Sequence, residues 1–454
     1  MRLLFLCLLP FLLGCAPMYN APKDSHFKSL VEETITSDND DESILFVIAF
    51  SGGGTRAAAM SWYVLEELKK IHYRFVKNGT VINSNLADQI DYISGISGGS
   101  FAATAWCLYP DNMQVFENNF INKNIQKSLV EYMFWPPWNL IRLLSRSYTR
   151  TDLAGEYYHH HIFNKKLFRN LPNRPKLLIH STHLATGEQF LYTQDHFDLL
   201  GSDLLSYRLG PACAASSAFP VLLNPITLKS YVVPESLMKE AKYRIAKKNS
   251  VEDIDAYYYC FMREFFNDTT NKWHHFSDGG LVDNRGLQIV LDGLSTNGFI
   301  NKRLHETNKL LRKLIIFNVD AGSFPLDQTC KKQQAPRVLS VVQYAATIPM
   351  DRLSGERWKA VKILGEEIWQ TTQSSFHTEE TSNYKNLEKP YCIEISFRAI
   401  ENDSLRTACL NLPTSFYLTS EQLNLLKTVV PILVKNEPEL SRLIKTVEDD
   451  YLYR

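Results

Sequence analysis

Apolar residues along this chain gather into a few uninterrupted runs. Ile44-Leu45-Phe46-Val47-Ile48-Ala49-Phe50 offers no polar face, the pattern of a strand buried on both sides in a parallel sheet. Ser51-Gly52-Gly53-Gly54 ends it, and Thr55 to about Lys70, rich in Ala, Leu, Met and Glu, predicts a helix. The unit then recurs: Asp91-Tyr92-Ile93-Ser94 predicts a short strand, Gly95 to Gly99 a turn, and Ser100 to Leu108 the start of a helix. Further strands are expected at Lys176-Leu177-Leu178-Ile179-His180 and Leu314-Ile315-Ile316-Phe317-Asn318-Val319. Ser420 to Val434 reads as a helix interrupted at Pro431, with Leu423, Leu426, Val430 and Leu433 spaced for one buried face. Alternating strands and helices predict a three-layer α/β/α domain around a mainly parallel central sheet.

The N-terminus follows a different logic. MRLLFLCLLPFLLGC sets Arg2 before an apolar stretch too short to span a bilayer, so residues 1–14 read as an export signal. Leu12-Leu13-Gly14-Cys15 resembles the bacterial lipobox, which implies cleavage before Cys15 and lipidation of that cysteine; an ordinary cleaved signal with an incidental Cys15 is the alternative. Residues 15–42 are polar, lack periodicity and read as a tether. Ala16 stands where an aspartate would favour inner-membrane retention. The expected location is therefore the bacterial cell envelope, lipid-anchored, with the outer membrane preferred.

Composition narrows the classes further. With 45% hydrophobic and 22% charged residues the chain can pack a sizeable core. Lys plus Arg equals Asp plus Glu at 49 each, so no global field draws it to nucleic acid. Past the signal, Cys107, Cys213, Cys260, Cys330, Cys392 and Cys409 are dispersed and form no metal-ligand spacing. A bridge from Cys330 to Cys392 or Cys409 is the one disulfide candidate, and neither a metal nor another cofactor is expected.

The two glycine turns carry the candidate chemistry. A serine hydroxyl attacks an ester only when it is held at a constrained, accessible position and a base takes its proton. Gly95-Ile96-Ser97-Gly98-Gly99 is a G-x-S-x-G run between a strand and an Ala-rich helix, the context that a nucleophile elbow requires. Backbone amides of Ser51-Gly52-Gly53-Gly54-Thr55-Arg56 can approach an oxyanion closely. Losing one such donor costs about 3–4 kcal/mol of transition-state stabilisation. Phosphate cradling competes, since Gly52-x-Gly54-x-x-Ala57 partly fits a dinucleotide fingerprint, but no clear ribose-binding carboxylate stands near residues 71–75. Ser277-Asp278-Gly279-Gly280-Leu281-Val282-Asp283-Asn284 places a carboxylate at a glycine turn, where it is either a base or an ordinary Asp-Gly turn.

Taken together and in order, the runs at 51–56, 95–100 and 278–284, with Ala215-Ser216-Ser217-Ala218-Phe219-Pro220, resemble the oxyanion loop, nucleophile elbow, catalytic aspartate and Ala-Ser-x-Ala-x-Pro segment of patatin-like phospholipases. The resemblance covers about residues 43–320. It implies a Ser97/Asp278 dyad with Asp278 as general base, Gly52, Gly53, Gly54 and Arg56 forming or supporting the oxyanion hole, and a phospholipid or other acyl lipid as substrate. The hydrolase domain is expected over 43–436, with an insertion at about 111–168 and a C-terminal tail at 437–454.

Three rivals stay open: a Ser-Asp-His triad completed by His305 or His377, a non-catalytic lipid-binding lipoprotein of the same fold, and a nucleotide-dependent enzyme. His159 to His161, His274 and His275 read as exposed loop histidines. The aromatic stretch Met133 to Leu144 fits either a lipid-dipping lid or a helix corner buried in the core, and the core placement is the expectation.

Overall fold

The structure, a computed structural model, describes residues 20–23, 40–220, 222–231, 268, 270–295, 298–305, 311–323, 333–374 and 387–452. The signal 1–14, Cys15, Cys260, Cys330, His377 and the His305 side chain lie outside the described residues. Sheet strands are β1 (Ile44–Phe50), β2 (Tyr92–Gly95), β3 (Lys176–His183), β4 (Gln189–Leu191), β5 (Ile226–Lys229), β6 (Trp273–Asp278), β7 (Lys313–Asp320) and β8 (Tyr391–Ser396). Helices α1 (Gly54–Lys69), α2 (Gly98–Leu108), α3 (Ile125–Phe134), α4 (Trp138–Arg142), α5 (Arg150–His161), α6 (Leu209–Ser216), α7 (Gln288–Leu294), α8 (Val338–Ser374), α9 (Ser420–Asn436) and α10 (Pro438–Leu452) accompany them. The central sheet is mixed and mostly parallel, as the strand and helix alternation predicts.

Two compact units share the chain. The larger comprises Thr34–Gln126, Pro172–His180 and Gly279–Arg454. Its strands run in the order β8-β7-β1-β2-β3, all parallel. β1 is buried along its whole length because neighbours flank it and helices cover it. α1 and α2 pack through Trp62 and Trp106, whose rings meet edge-on at 6.3 Å, and Phe116 lies 4.8 Å from Trp62. At the opposite edge of the sheet from the glycine turns, the Asp91 carboxylate accepts from the Phe46 amide (2.7 Å) and from Arg174 Nε (3.0 Å), and Arg174 also pairs with Asp40 at 2.9 Å. Burial pushes Asp91 up to about 6, and Arg174 opposes that rise.

Several expectations change here. α9 is not interrupted: it continues through Pro431. Leu423, Leu426, Val430 and Leu433 are all buried, and that burial offsets the one backbone bond a proline removes. Residues 438–452, expected as a tail, form a helix that buries Leu440, Leu443 and Val447. Cys392 and Cys409 are free thiols, so neither makes the bridge considered from the sequence.

The smaller unit comprises Met1–Glu33, Lys127–Leu171 and Ser181–Asp278. Here Ser181–His183 of β3 pairs antiparallel with β6, and β6 pairs antiparallel with β5. α5 and α6 approach closely because Gly210 lies against the backbone of Gly155 and His159. Part of the stretch read as a tether is docked. Ala21–Pro22 pairs antiparallel with Ser202–Asp203, Asn20 donates to the Lys229 carbonyl at 2.7 Å, and Lys23 meets Asp198 at 2.6 Å. Polar side chains with partners dock as well as apolar ones, which a hydropathy pattern does not reveal.

The histidines lie on α5 and β6 and not on loops; His160, His161 and His275 are exposed as expected, while the other two are not. His159 is buried in α5, and His274 is buried in β6, where alternate residues point inward. Its Nδ1 lies 3.2 Å from His183 Nε2. Burial lowers both His183 and His274 to about 4. A histidine depressed in the folded state contributes stability that is present above its unfolded value near 6.5 and is lost as pH falls toward about 4. Ring chemical shifts followed by NMR are expected to show both imidazoles still neutral at about pH 5.5, where a free histidine is mostly charged; a midpoint near 6.5 at either ring would contradict this.

Candidate active site

β2 ends at Gly95 and α2 begins at Gly98, so Ser97 occupies the turn between a strand and a helix. Its backbone takes φ 47° and ψ −119°. A side chain held there costs roughly 1–3 kcal/mol, which persists only where surrounding contacts over-determine it. Those contacts are backbone. The Ile96 amide donates to Phe50 O (3.1 Å), the Gly99 amide to Ile96 O (2.7 Å), and both the amide and the hydroxyl of Ser100 donate to Ser97 O (3.0 and 2.6 Å). Ser97 is half-buried while both flanking pairs of residues are buried, so the turn presents the serine and little else.

The flanking glycines are required by close approach. A Cβ on Gly95 would lie 2.6 Å from the Ser100 Cα, and one on Gly99 would lie 2.7 Å from the Ser51 carbonyl. A Cβ on Gly98 would collide with the Gly54 carbonyl. The two glycine turns therefore pack backbone on backbone.

In the first turn, the Gly52 amide donates to Asn284 O at 2.9 Å and the Thr55 amide to Ser415 O at 2.8 Å. Gly53 (φ 141°) and Gly54 (φ 61°) adopt the left-handed region that glycine tolerates. Among the described residues their amides donate to no backbone partner. Arg56 is buried, donating from Nε to Ala321 O (2.8 Å) and from Nη1 to Leu412 O (2.6 Å). Burial lowers it to about 10, and the Asp320 carboxylate opposes this. Its guanidinium ties the loop to two later segments, and a side chain on Gly53 would meet its Nη2 at 2.7 Å.

Asp278 belongs to the smaller unit and closes β6. It is 3% exposed. Its amide donates to Ala218 O (3.0 Å), its carbonyl accepts from Thr182 Oγ1 (2.8 Å), and Ser277 Oγ donates to the same Ala218 oxygen (2.6 Å). The Ala215-to-Pro220 run thus ends α6 and fixes the backbone of the aspartate.

The second carboxylate of that run has a different task. Asp283 is buried and accepts from the Arg285 and Gln288 amides (3.2 and 2.7 Å), capping the approach to α7. Burial raises its pKa, with Arg357 opposing. Sequence reasoning assigned no role to Asn284, Ser415 or His180. His180 is fully buried in β3, with Nε2 2.7 Å from Ser94 Oγ, three residues before Ser97. The only signal for Asn284 was its place in the Asp278 run; Ser415 carried none. Among the described residues no group of three or more His, Cys, Asp or Glu side chains is placed to hold a metal ion.

A strained serine at a strand-to-helix turn, beside a glycine loop at the carboxyl edge of a mostly parallel sheet, has the local geometry that a nucleophile elbow requires. The model of the patatin-like phospholipase family matches residues 48–291. The chain belongs to that family, which acts on lipid substrates as acyl hydrolases. A comparison with curated proteins finds no match.

Gly98→Ala is expected to destabilise the protein by about 1–3 kcal/mol and to abolish ester hydrolysis. Gly355 lies inside α8 with open space around its Cα, and Gly355→Ala is expected to stabilise by about 0.4–1 kcal/mol. Urea unfolding of both variants checks the pair; equal effects would refute the backbone-contact account.

Proposed function

We propose that the protein is a lipid-anchored serine hydrolase that cleaves acyl esters of phospholipids or lysophospholipids at the bacterial cell envelope, preferentially the outer membrane. Ser97 Oγ attacks the ester carbonyl while the Asp278 carboxylate takes its proton. The tetrahedral oxyanion is received by the Gly53 and Gly54 amides and by the Gly98 amide at the positive end of α2. Collapse expels the alcohol, which leaves with the proton held by Asp278. Water, deprotonated by the same carboxylate, then attacks the acyl-enzyme, and collapse releases the fatty acid as Asp278 returns that proton to Ser97 Oγ.

The observation that carries this reading is the conformation of Ser97 at φ 47° and ψ −119°, strain that a structural serine does not need. The Ser97/Asp278 assignment is supported by family membership and by the matching runs around both residues. Anchorage is supported by the apolar N-terminus ending in Leu12-Leu13-Gly14-Cys15 and by Ala16 after it.

A fluorophosphonate probe is expected to label Ser97. Ser97→Ala should abolish labelling and lower ester hydrolysis by roughly 10⁴-fold or more, with circular dichroism unchanged. Asp278→Asn should suppress both; strong labelling in that variant would rule out the dyad, and hydrolysis retained by Ser97→Ala would rule out the nucleophile. Cys15→Ser is expected to prevent incorporation of labelled fatty acid into the protein, and undiminished incorporation would reject the anchor.

A further inference from the structure

The aromatic stretch in the smaller unit, expected from the sequence as a core corner, is outside. Trp135 is 76% exposed, Leu144 74%, Trp138 60% and Phe134 58%, with Leu140 and Ile141 also exposed. All six fall within residues 134–144, at the end of α3, the following turn, α4 and the turn after it.

The polar residues of the same stretch face inward. Asn139 is buried, and its Nδ2 donates to the Tyr132 carbonyl at 2.8 Å, locking α4 onto the end of α3. Arg142 reaches α5, where its guanidinium meets both Glu156 carboxylate oxygens at 2.8 and 2.5 Å and lies 3.9 Å from the centre of the Tyr148 ring. Tyr148 is itself buried and donates to Glu156 at 3.0 Å. A helix at a water-exposed surface arranges itself the opposite way, apolar side in and polar side out. Here the inverted arrangement is held by charge-assisted bonds, so the apolar face is a fixed part of the unit. An apolar face held outward against water indicates that water is not its only working environment.

We propose that residues 134–144 form a membrane-docking face whose Trp135, Trp138 and Leu144 enter the interfacial layer of an anionic phospholipid bilayer. Tryptophan is favoured at that depth because its ring is apolar while its N–H remains near water. Arg146 and Arg150, both exposed, follow the stretch directly in sequence and provide charge complementary to phosphate head groups. This inference rests on the lipid-hydrolase reading for its substrate comparison and stands apart from the anchor, because it concerns the folded surface.

The full chain carrying Cys15→Ser, so that no lipid is attached, is mixed with phosphatidylglycerol/phosphatidylcholine vesicles containing lipids brominated on their acyl chains. Tryptophan fluorescence is expected to be quenched, and Trp135→Phe/Trp138→Phe should lose most of that quenching while remaining bound; the quenching reports these rings and not the apolar leader. Trp135→Ser/Trp138→Ser/Leu144→Ser should weaken vesicle affinity by roughly tenfold or more. It should lower hydrolysis of vesicle phospholipid in step, with hydrolysis of a soluble short-chain ester unchanged. Unchanged quenching in the Phe variant overturns the proposal, as does an equal loss on the soluble ester. So does an oligomer that dissociates in the Ser variant while vesicle affinity is kept, which would assign the face to a second copy. Should the parent protein hydrolyse neither substrate, the hydrolase reading fails while the quenching still decides the docking face.

Discussion

The backbone of Gly98 lies directly against the backbone of Gly54, with no space for a methyl group between them. β1 and β2 are parallel neighbours in register, Phe50 opposite Gly95. Their following turns therefore emerge side by side at the carboxyl edge of the sheet, where open α/β sheets form their crevices. Because both turns are made of glycine, they can interlock, and the N-terminal ends of α1 and α2 open beside Ser97. The same interlock holds Ser97 in a backbone conformation that its own preferences disfavour. Strain at one residue is thus sustained by close packing over two loops.

That interlock is reinforced by segments from far along the chain. Arg56 gives up hydration to bond two carbonyls, at Ala321 after β7 and at Leu412. Burying a guanidinium is costly unless its donors are used, and here two of them bond backbone oxygens. Arg285 bridges Asp320 and Glu394 at 2.5 and 2.6 Å, joining the ends of β7 and β8 to the loop that carries Asn284. Fixed charges and carbonyls thus set the loop positions, while the apolar sheet below sets only their spacing.

Strong local signals were legible in the sequence. The uninterrupted apolar run of β1 and the glycine turn after it could be read because burial on both faces and a tight turn each restrict residue type over several consecutive positions. The four family-like runs could be read for the same reason, and the family they resemble is the one whose model matches the chain. Legibility failed where one side chain's partner lies hundreds of residues away, as with Ser415 beneath Gly54 or Asn20 on Lys229. It also failed at residues 134–144. Composition there is identical for a core corner and an outward face, and only the partners of Asn139 and Arg142 decide which side is in. Pro431 misled for a related reason, since a local rule about helix breaking is outweighed by a buried stripe that the rule does not count.

The Ala215-to-Pro220 run shows how a segment without charged groups can fix the backbone of a carboxylate at a strand end. Ser217 Oγ donates back to the Cys213 carbonyl at 2.8 Å and terminates α6 tightly, which leaves the Ala218 carbonyl pointing at β6. That one oxygen accepts both the Asp278 amide and the Ser277 hydroxyl, and Thr182 holds the Asp278 carbonyl from the other side. An aspartate is a weak base at neutral pH, so any advantage it has as a proton acceptor must come from placement, where displacements of about 1 Å can cost 100-fold in rate. With N–H and C=O both committed, the backbone of Asp278 has little freedom left, and what remains to be oriented is two side-chain torsions. A histidine base brings its own suitable pKa and tolerates looser support. The rigid bracket around Asp278 is what a carboxylate in that role would need in its place.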